Sequence, residues 1–130
     1  MSLYEELLAE YDEKVDITER KMHNDGLYAD GCIWIRENMT TNQKICILAE
    51  ELGHYETSVG DILNQDSLDN RKQERLARIW AYEKLLPLDK IYEAASKGYT
   101  TTWTMADYLD VDEEFLKHCL VHYGILDISL

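Results

Sequence analysis

Two short apolar runs, residues 27–29 and 32–35, flank the dipeptide Asp30-Gly31. An Asp-Gly pair between apolar runs is a strong signal for a β-hairpin, because both central residues of the tight turn need a positive φ. The pattern therefore predicts a small antiparallel sheet near the start of the chain, with residues 15–17 as a candidate third strand.

Helical signals occupy most of the remaining sequence. Ser2 with Glu5, and Thr40 with Gln43, have the spacing of capping boxes that begin helices. The predicted helices span about residues 3–14, 40–56, 70–86, 88–97, 104–109 and 112–123, with a loop over 60–70. This order predicts an α+β fold that is mainly helical. We expect a single domain over residues 1–130, in which residues 100–123 form a small C-terminal helical subregion and Trp34 or its neighbours pack under the second helix.

Charge and composition restrict the classes of function. The chain has 26 acidic and 13 basic residues, a formal net charge of −13. Such a field repels phosphate backbones, so direct binding of nucleic acid is not expected. No apolar run approaches the ~20 residues that span a bilayer, and the acidic N-terminus lacks the basic start of a secretory signal. We expect a cytoplasmic protein whose three cysteines are small buried hydrophobes rather than disulfides.

The second predicted helix has an unusual polar side. Glu50 and His54 lie one turn apart on it, with Glu51 beside them, opposite the apolar side of the helix. Two ligands at i and i+4 can bind one metal ion, and the adjacent glutamate can reach a metal-bound water. Gly53 costs about 1 kcal/mol in a helix interior. It therefore indicates that the sheet or a neighbouring helix approaches closely.

A helical metal pair needs a third protein ligand. On the third predicted helix, Glu74 shares one face with Ala77 and Ala81. Small alanines let two helix backbones come close together beside an acidic side chain. Glu74 is therefore the candidate third ligand, and Asp61 is an alternative.

Two segments resemble the motifs of the ImmA/IrrE family of metallopeptidases, LAEELGHY at residues 48–55 and ERLARIWA at residues 74–81. The family pattern is a His-Glu-x-x-His helix followed by a glutamate ligand in a Glu-x-x-Ala-x-x-Phe-Ala context. Residues 26–35 resemble the hairpin that precedes the motif helix in the family, and the resemblance covers about residues 5–123. It is greatest to short members carried by phages and mobile elements and encoded beside a phage-type repressor.

This resemblance implies a zinc-type metallopeptidase that cuts or inactivates a helix-turn-helix repressor. Residue by residue, Glu51 matches the general base, His54 the second metal ligand and Glu74 the third. Glu50 stands where the family has its first histidine, so the chain departs from the pattern at that ligand. Two carboxylates and one histidine form a harder, more anionic set, which shifts the preference from zinc toward manganese or another hard ion.

Other interpretations of the same residues remain open. In one, Glu50 pairs with an arginine such as Arg75 or Arg78, no metal binds, and the protein is an inactive acidic antirepressor that works by docking. His118 and His122 form a second i, i+4 pair. Because they lie in the last turn of a predicted helix, favourable contact with the helix dipole explains them more simply than a metal does.

Overall fold

A computed structural model describes residues 2–58 and 70–126 of the chain. Within these residues the elements are α1 (Leu3–Tyr11), β1 (Asp16–Arg20), β2 (Gly26–Ala29), β3 (Cys32–Arg36), α2 (Thr41–Ser58), α3 (Asn70–Leu85), α4 (Leu88–Ser96), α5 (Thr102–Leu109) and α6 (Glu113–His122). The predicted α+β, mainly helical fold is confirmed. Residues 60–69 of the predicted loop, with Asp61, lie outside the described residues. No helix in the described ranges combines the length and hydropathy that crossing a bilayer requires.

The strands in this part of the chain form one mixed sheet in the order β1-β3-β2. The predicted hairpin is confirmed, because β2 and β3 are antiparallel, Ala29 pairs with Cys32, and Asp30 and Gly31 have φ of 49° and 76°. The prediction of a purely antiparallel sheet is wrong, since β1 pairs with β3 in parallel. The chain reverses between β1 and β2 and again at the hairpin turn. These two reversals leave β1 and β3 running in the same direction.

Both predicted capping boxes are present at helix N-termini. The Glu5 backbone N–H donates to the Ser2 hydroxyl, and the Ser2 backbone N–H donates to the Glu5 carboxylate. Thr40 and Gln43 exchange the same two hydrogen bonds at the start of α2. The prediction that the first helix continues to residue 14 is wrong, because α1 ends at Tyr11 and the chain turns there toward β1.

α2 runs through the hydrophobic core and has the sheet on one side of it. Ile33 and Ile35 of β3 are fully buried in the same core cluster as the apolar side of α2. Trp34 lies between them in sequence, is 38% exposed, and has the Arg20 guanidinium 4.3 Å from its ring. Alternation along the strand therefore places the neighbours of Trp34, and not Trp34 itself, under α2, the helix that carries the family motif.

The three cysteines are free thiols, as predicted. Cys46 and Cys119 are buried, and burial raises the pKa of both thiols to about 12. Cys32 is only half-buried at the start of β3. The prediction of buried cysteines therefore holds for two of the three.

Candidate active site

The candidate site is built on the crossing of α2 and α3. Gly53 of α2 lies so close to Ala77 of α3 that a Cβ built at Gly53 would overlap the Ala77 carbonyl oxygen and come within 2.9 Å of its Cα. Ala77 and Ala81 are buried along the same face of α3. The predicted close approach is confirmed, and the approaching element is α3.

This crossing brings His54 and Glu74 into contact. The distance from His54 Nε2 to Glu74 Oε1 is 3.2 Å. His54 follows Gly53 directly and Glu74 precedes Ala77 by three residues, so both side chains lie beside the point of closest approach. The side chains are 22% and 56% exposed, respectively, so the pair is accessible from solvent. Two of the three predicted metal ligands are therefore adjacent.

Glu51 is half-buried and lies against the start of β2. A Cβ built at Gly26 would lie 3.0 Å from Glu51 Oε2, so the carboxylate fills the space that a larger residue at 26 would need. Burial, with the negative charges of Glu50 and Glu74, raises the pKa of Glu51 to about 7. Such a carboxyl group can give or take a proton at neutral pH, as a general acid or base must. Sequence reasoning missed Gly26, although a glycine at the start of a strand often marks a close approach.

Glu50 lines a separate cavity of about 220 Å³ between α2 and α6. Polar residues that share this cavity include Asp25, Arg36, Tyr82 and His118. Burial raises the pKa of Glu50, the positive charge of Arg78 acts against this, and the negative charges of Glu74 and Asp25 add to the increase. Glu50 is therefore a poorly solvated carboxyl group whose surroundings differ from those of Glu51.

The three predicted ligands do not fit a zinc ion in this arrangement. Among the described residues, no three or more His, Cys, Asp or Glu side chains are grouped so that they could hold a metal ion. The guanidinium of Arg78 lies 4.0 Å from Glu74, measured from Nη1 to Oε2. A zinc site needs three protein donors around one point, whereas here a cation lies beside one of the donors, Glu74. The metal-binding roles of Glu50, His54 and Glu74 stay a prediction.

Arg78 has a larger part in this site than the sequence pattern predicted. It was an alternative to Arg75 as a counter-ion for Glu50, and the positive charge of Arg78 does act to lower the pKa of Glu50. Glu74, Arg78 and Tyr82 are spaced by four residues, and the positive charge of Arg78 acts to lower the pKa of Tyr82. The i, i+4 spacing was the signal that could have identified this row.

The second histidine pair does not act as one unit. His122 Nε2 lies 3.2 Å from Glu83 Oε2, and the His122 ring packs against Tyr123. His118 instead lines the cavity that contains Glu50. The two rings therefore make different contacts, although they lie one turn apart on α6.

Comparison with protein families shows which family the chain matches. A sequence profile of the IrrE N-terminal-like domain family matches residues 4–121. The matched range includes every residue of the site described above. No protein with a curated description matches the chain. Because the profile covers most of its length, the chain belongs to the IrrE N-terminal-like family of metallopeptidase-like proteins.

Proposed function

We propose that the protein is a metallopeptidase-like enzyme that cuts, and so inactivates, a helix-turn-helix repressor of a phage or mobile element. The observation that carries this proposal is the position of the half-buried Glu51 on the same helix as His54, which contacts Glu74 at the α2–α3 crossing. Membership of the family supports a peptidase-like reaction. The repressor as partner rests on the resemblance to short phage-borne members.

Glu51 is the residue to which we assign proton transfer. When ionised, its carboxylate can take a proton from an attacking water, and when protonated it can return that proton to the leaving amine. A pKa of about 7 keeps both forms populated near neutral pH. The carboxylate lies against Gly26, between α2 and β2.

The strand β2 offers a place for an extended segment of the partner. In the described part of the chain β2 is at the edge of the sheet and pairs only with β3. A peptide that added to this edge would be held by main-chain hydrogen bonds. Since Gly26 begins β2 and lies against Glu51, such a peptide would run close to the proposed reactive carboxylate.

Docking without cleavage is the second candidate function, and Arg78 favours it. Its guanidinium lies beside Glu74 where a peptidase of this family would need an open metal position. The net charge of −13 suits binding to the basic surface with which a repressor contacts DNA. An acidic antirepressor of this kind would compete with DNA and would not need Glu51.

A repression assay separates the two functions. The full chain is expressed in cells that carry a reporter under the repressor encoded nearest to its gene. The variants are Glu51→Gln and Glu56→Gln, the second of which removes the same charge from an exposed position of α2. We expect wild type and Glu56→Gln to relieve repression and Glu51→Gln to fail. Equal relief by Glu51→Gln would favour docking, and no relief by wild type would refute this partner.

A further inference from the structure

We propose that Arg78 is the built-in counter-ion of this site, and that a divalent metal ion can bind there only by displacing it. Arg78 therefore sets the metal affinity of the protein. Because this control acts on the site described above, its biological meaning rests on the proposed function. The disagreement between the family's metal chemistry and the donor arrangement seen here leads to this proposal.

The position of Arg78 supports a direct competition with metal. Its Nη1 lies 4.0 Å from Glu74 Oε2, on the same carboxylate whose Oε1 contacts His54 Nε2. Tyr82 lies one turn further along α3, and the positive charge of Arg78 acts to lower its pKa. Tyr82 in turn lines the cavity that contains Glu50. Arg78 is thus paired with one predicted metal ligand, Glu74, and its charge also acts on another, Glu50.

The charges around Arg78 explain why a cation belongs there. The negative charge of Glu74 raises the pKa of both Glu50 and Glu51, so the three carboxyl groups repel one another. The positive charge of Arg78 instead acts to lower the pKa of Glu50. A guanidinium stays protonated at any physiological pH, so this compensation is permanent.

Glu50 explains why this site needs a positively charged counter-ion. A histidine at this position, as in the family pattern, would be neutral, whereas Glu50 adds a negative charge that, like that of Glu74, acts on Glu51. The guanidinium of Arg78 compensates for that charge, but it has no lone pair with which to coordinate a metal. A divalent cation would be repelled by the positive charge of Arg78, and it would find the Glu74 carboxylate already paired with that guanidinium. Loss of Arg78 should therefore strengthen metal binding.

Calorimetric titration with zinc of the metal-stripped full chain tests this proposal. Arg78→Gln removes the charge, and we expect zinc affinity to rise at least tenfold, which corresponds to about 1.4 kcal/mol. Arg78→Lys keeps the charge and should stay within about threefold of wild type by the same electrostatic reasoning. Arg75→Gln removes the same charge from an exposed position of α3 three residues earlier and should also stay close to wild type.

A double variant shows where the zinc binds. Adding Glu74→Ala to Arg78→Gln should abolish the gain, whereas zinc bound at the histidines of α6 would remain. Unchanged or weaker zinc binding by Arg78→Gln, or an equal gain in Arg75→Gln, would overturn the proposal. Circular dichroism checks that each variant folds, and Arg78→Met replaces Arg78→Gln if the latter does not. These titrations contain no repressor, so their outcome is separate from whether the protein cleaves one.

Discussion

Glu50 and Glu51 are adjacent in the sequence, yet their carboxylates lie in different environments. Glu51 lies against Gly26 of β2, and Glu50 lines the cavity that His118 shares. A rotation of 100° per residue along α2 separates the two side chains. Helical spacing predicted correctly that both lie off the apolar side. It could not predict their separate surroundings, because these are made by strands and helices distant in sequence.

Glu51→Gln should change how stability depends on pH. The pKa of Glu51 is raised from 4.5 to about 7, so between these values the folded protein holds a proton that the unfolded chain has lost. Wild type therefore loses stability as the pH rises through this window, and glutamine, which cannot ionise, does not. We expect the stability difference to shift in favour of the variant by roughly 1–3 kcal/mol between about pH 4.5 and about pH 8.

Urea unfolding at a series of pH values measures this shift. Glu56→Gln is the matched control, since it makes the same replacement at an exposed position of α2. A difference between wild type and Glu51→Gln that stays constant across the series would contradict the assignment of a half-buried, proton-holding carboxyl group.

Among the elements, those with local signals were the most predictable. The hairpin depends on the φ angles of Asp30 and Gly31, and the start of α2 depends on Thr40 and Gln43, so neighbouring residues specify both. The parallel pairing of β1 with β3 depends on which sheet edge β1 joins, and no turn residue encodes that choice. Gly53 predicted a close approach but not that the approaching element would be α3.

Gly53→Ala should destabilise the protein although alanine is the better helix former. The new Cβ would overlap the backbone carbonyl of Ala77, which cannot rotate away, so α3 would have to move. Overpacking of this kind costs roughly 1–3 kcal/mol or more, which exceeds the gain of about 1 kcal/mol in helix propensity. Thermal and urea unfolding measure the net loss.

Gly26→Ala is the variant with which the stability of Gly53→Ala is compared. Its Cβ would lie 2.5 Å from Ile47 Cγ2 and 3.0 Å from Glu51 Oε2, which are side-chain atoms that can shift. We expect a smaller loss of stability than in Gly53→Ala, with the surroundings of Glu51 disturbed. Wild-type stability in Gly53→Ala would contradict the close contact between α2 and α3.

At the scale of the whole molecule, the sequence predicted the family and the fold class. It did not predict how the candidate metal ligands are arranged relative to one another. The motif helix and the residues around Glu74 identified the family because their spacing is local. Whether Glu50, His54 and Glu74 converge depends on how α2, α3 and α6 pack, and on Arg78. The net charge of −13 is a property of the whole surface, which is why it suits both an enzyme and an acidic antirepressor.

Mass spectrometry of the repressor after incubation with the purified full chain is the most direct measurement of the proposed function. The repressor encoded nearest to the gene is incubated with wild type, Glu51→Gln or Glu56→Gln, with zinc or manganese added. We expect wild type and Glu56→Gln to yield two fragments whose masses sum to the repressor plus one water, and Glu51→Gln to leave it intact. An intact repressor after incubation with wild type, or the same fragments with Glu51→Gln, would contradict a peptidase that depends on Glu51.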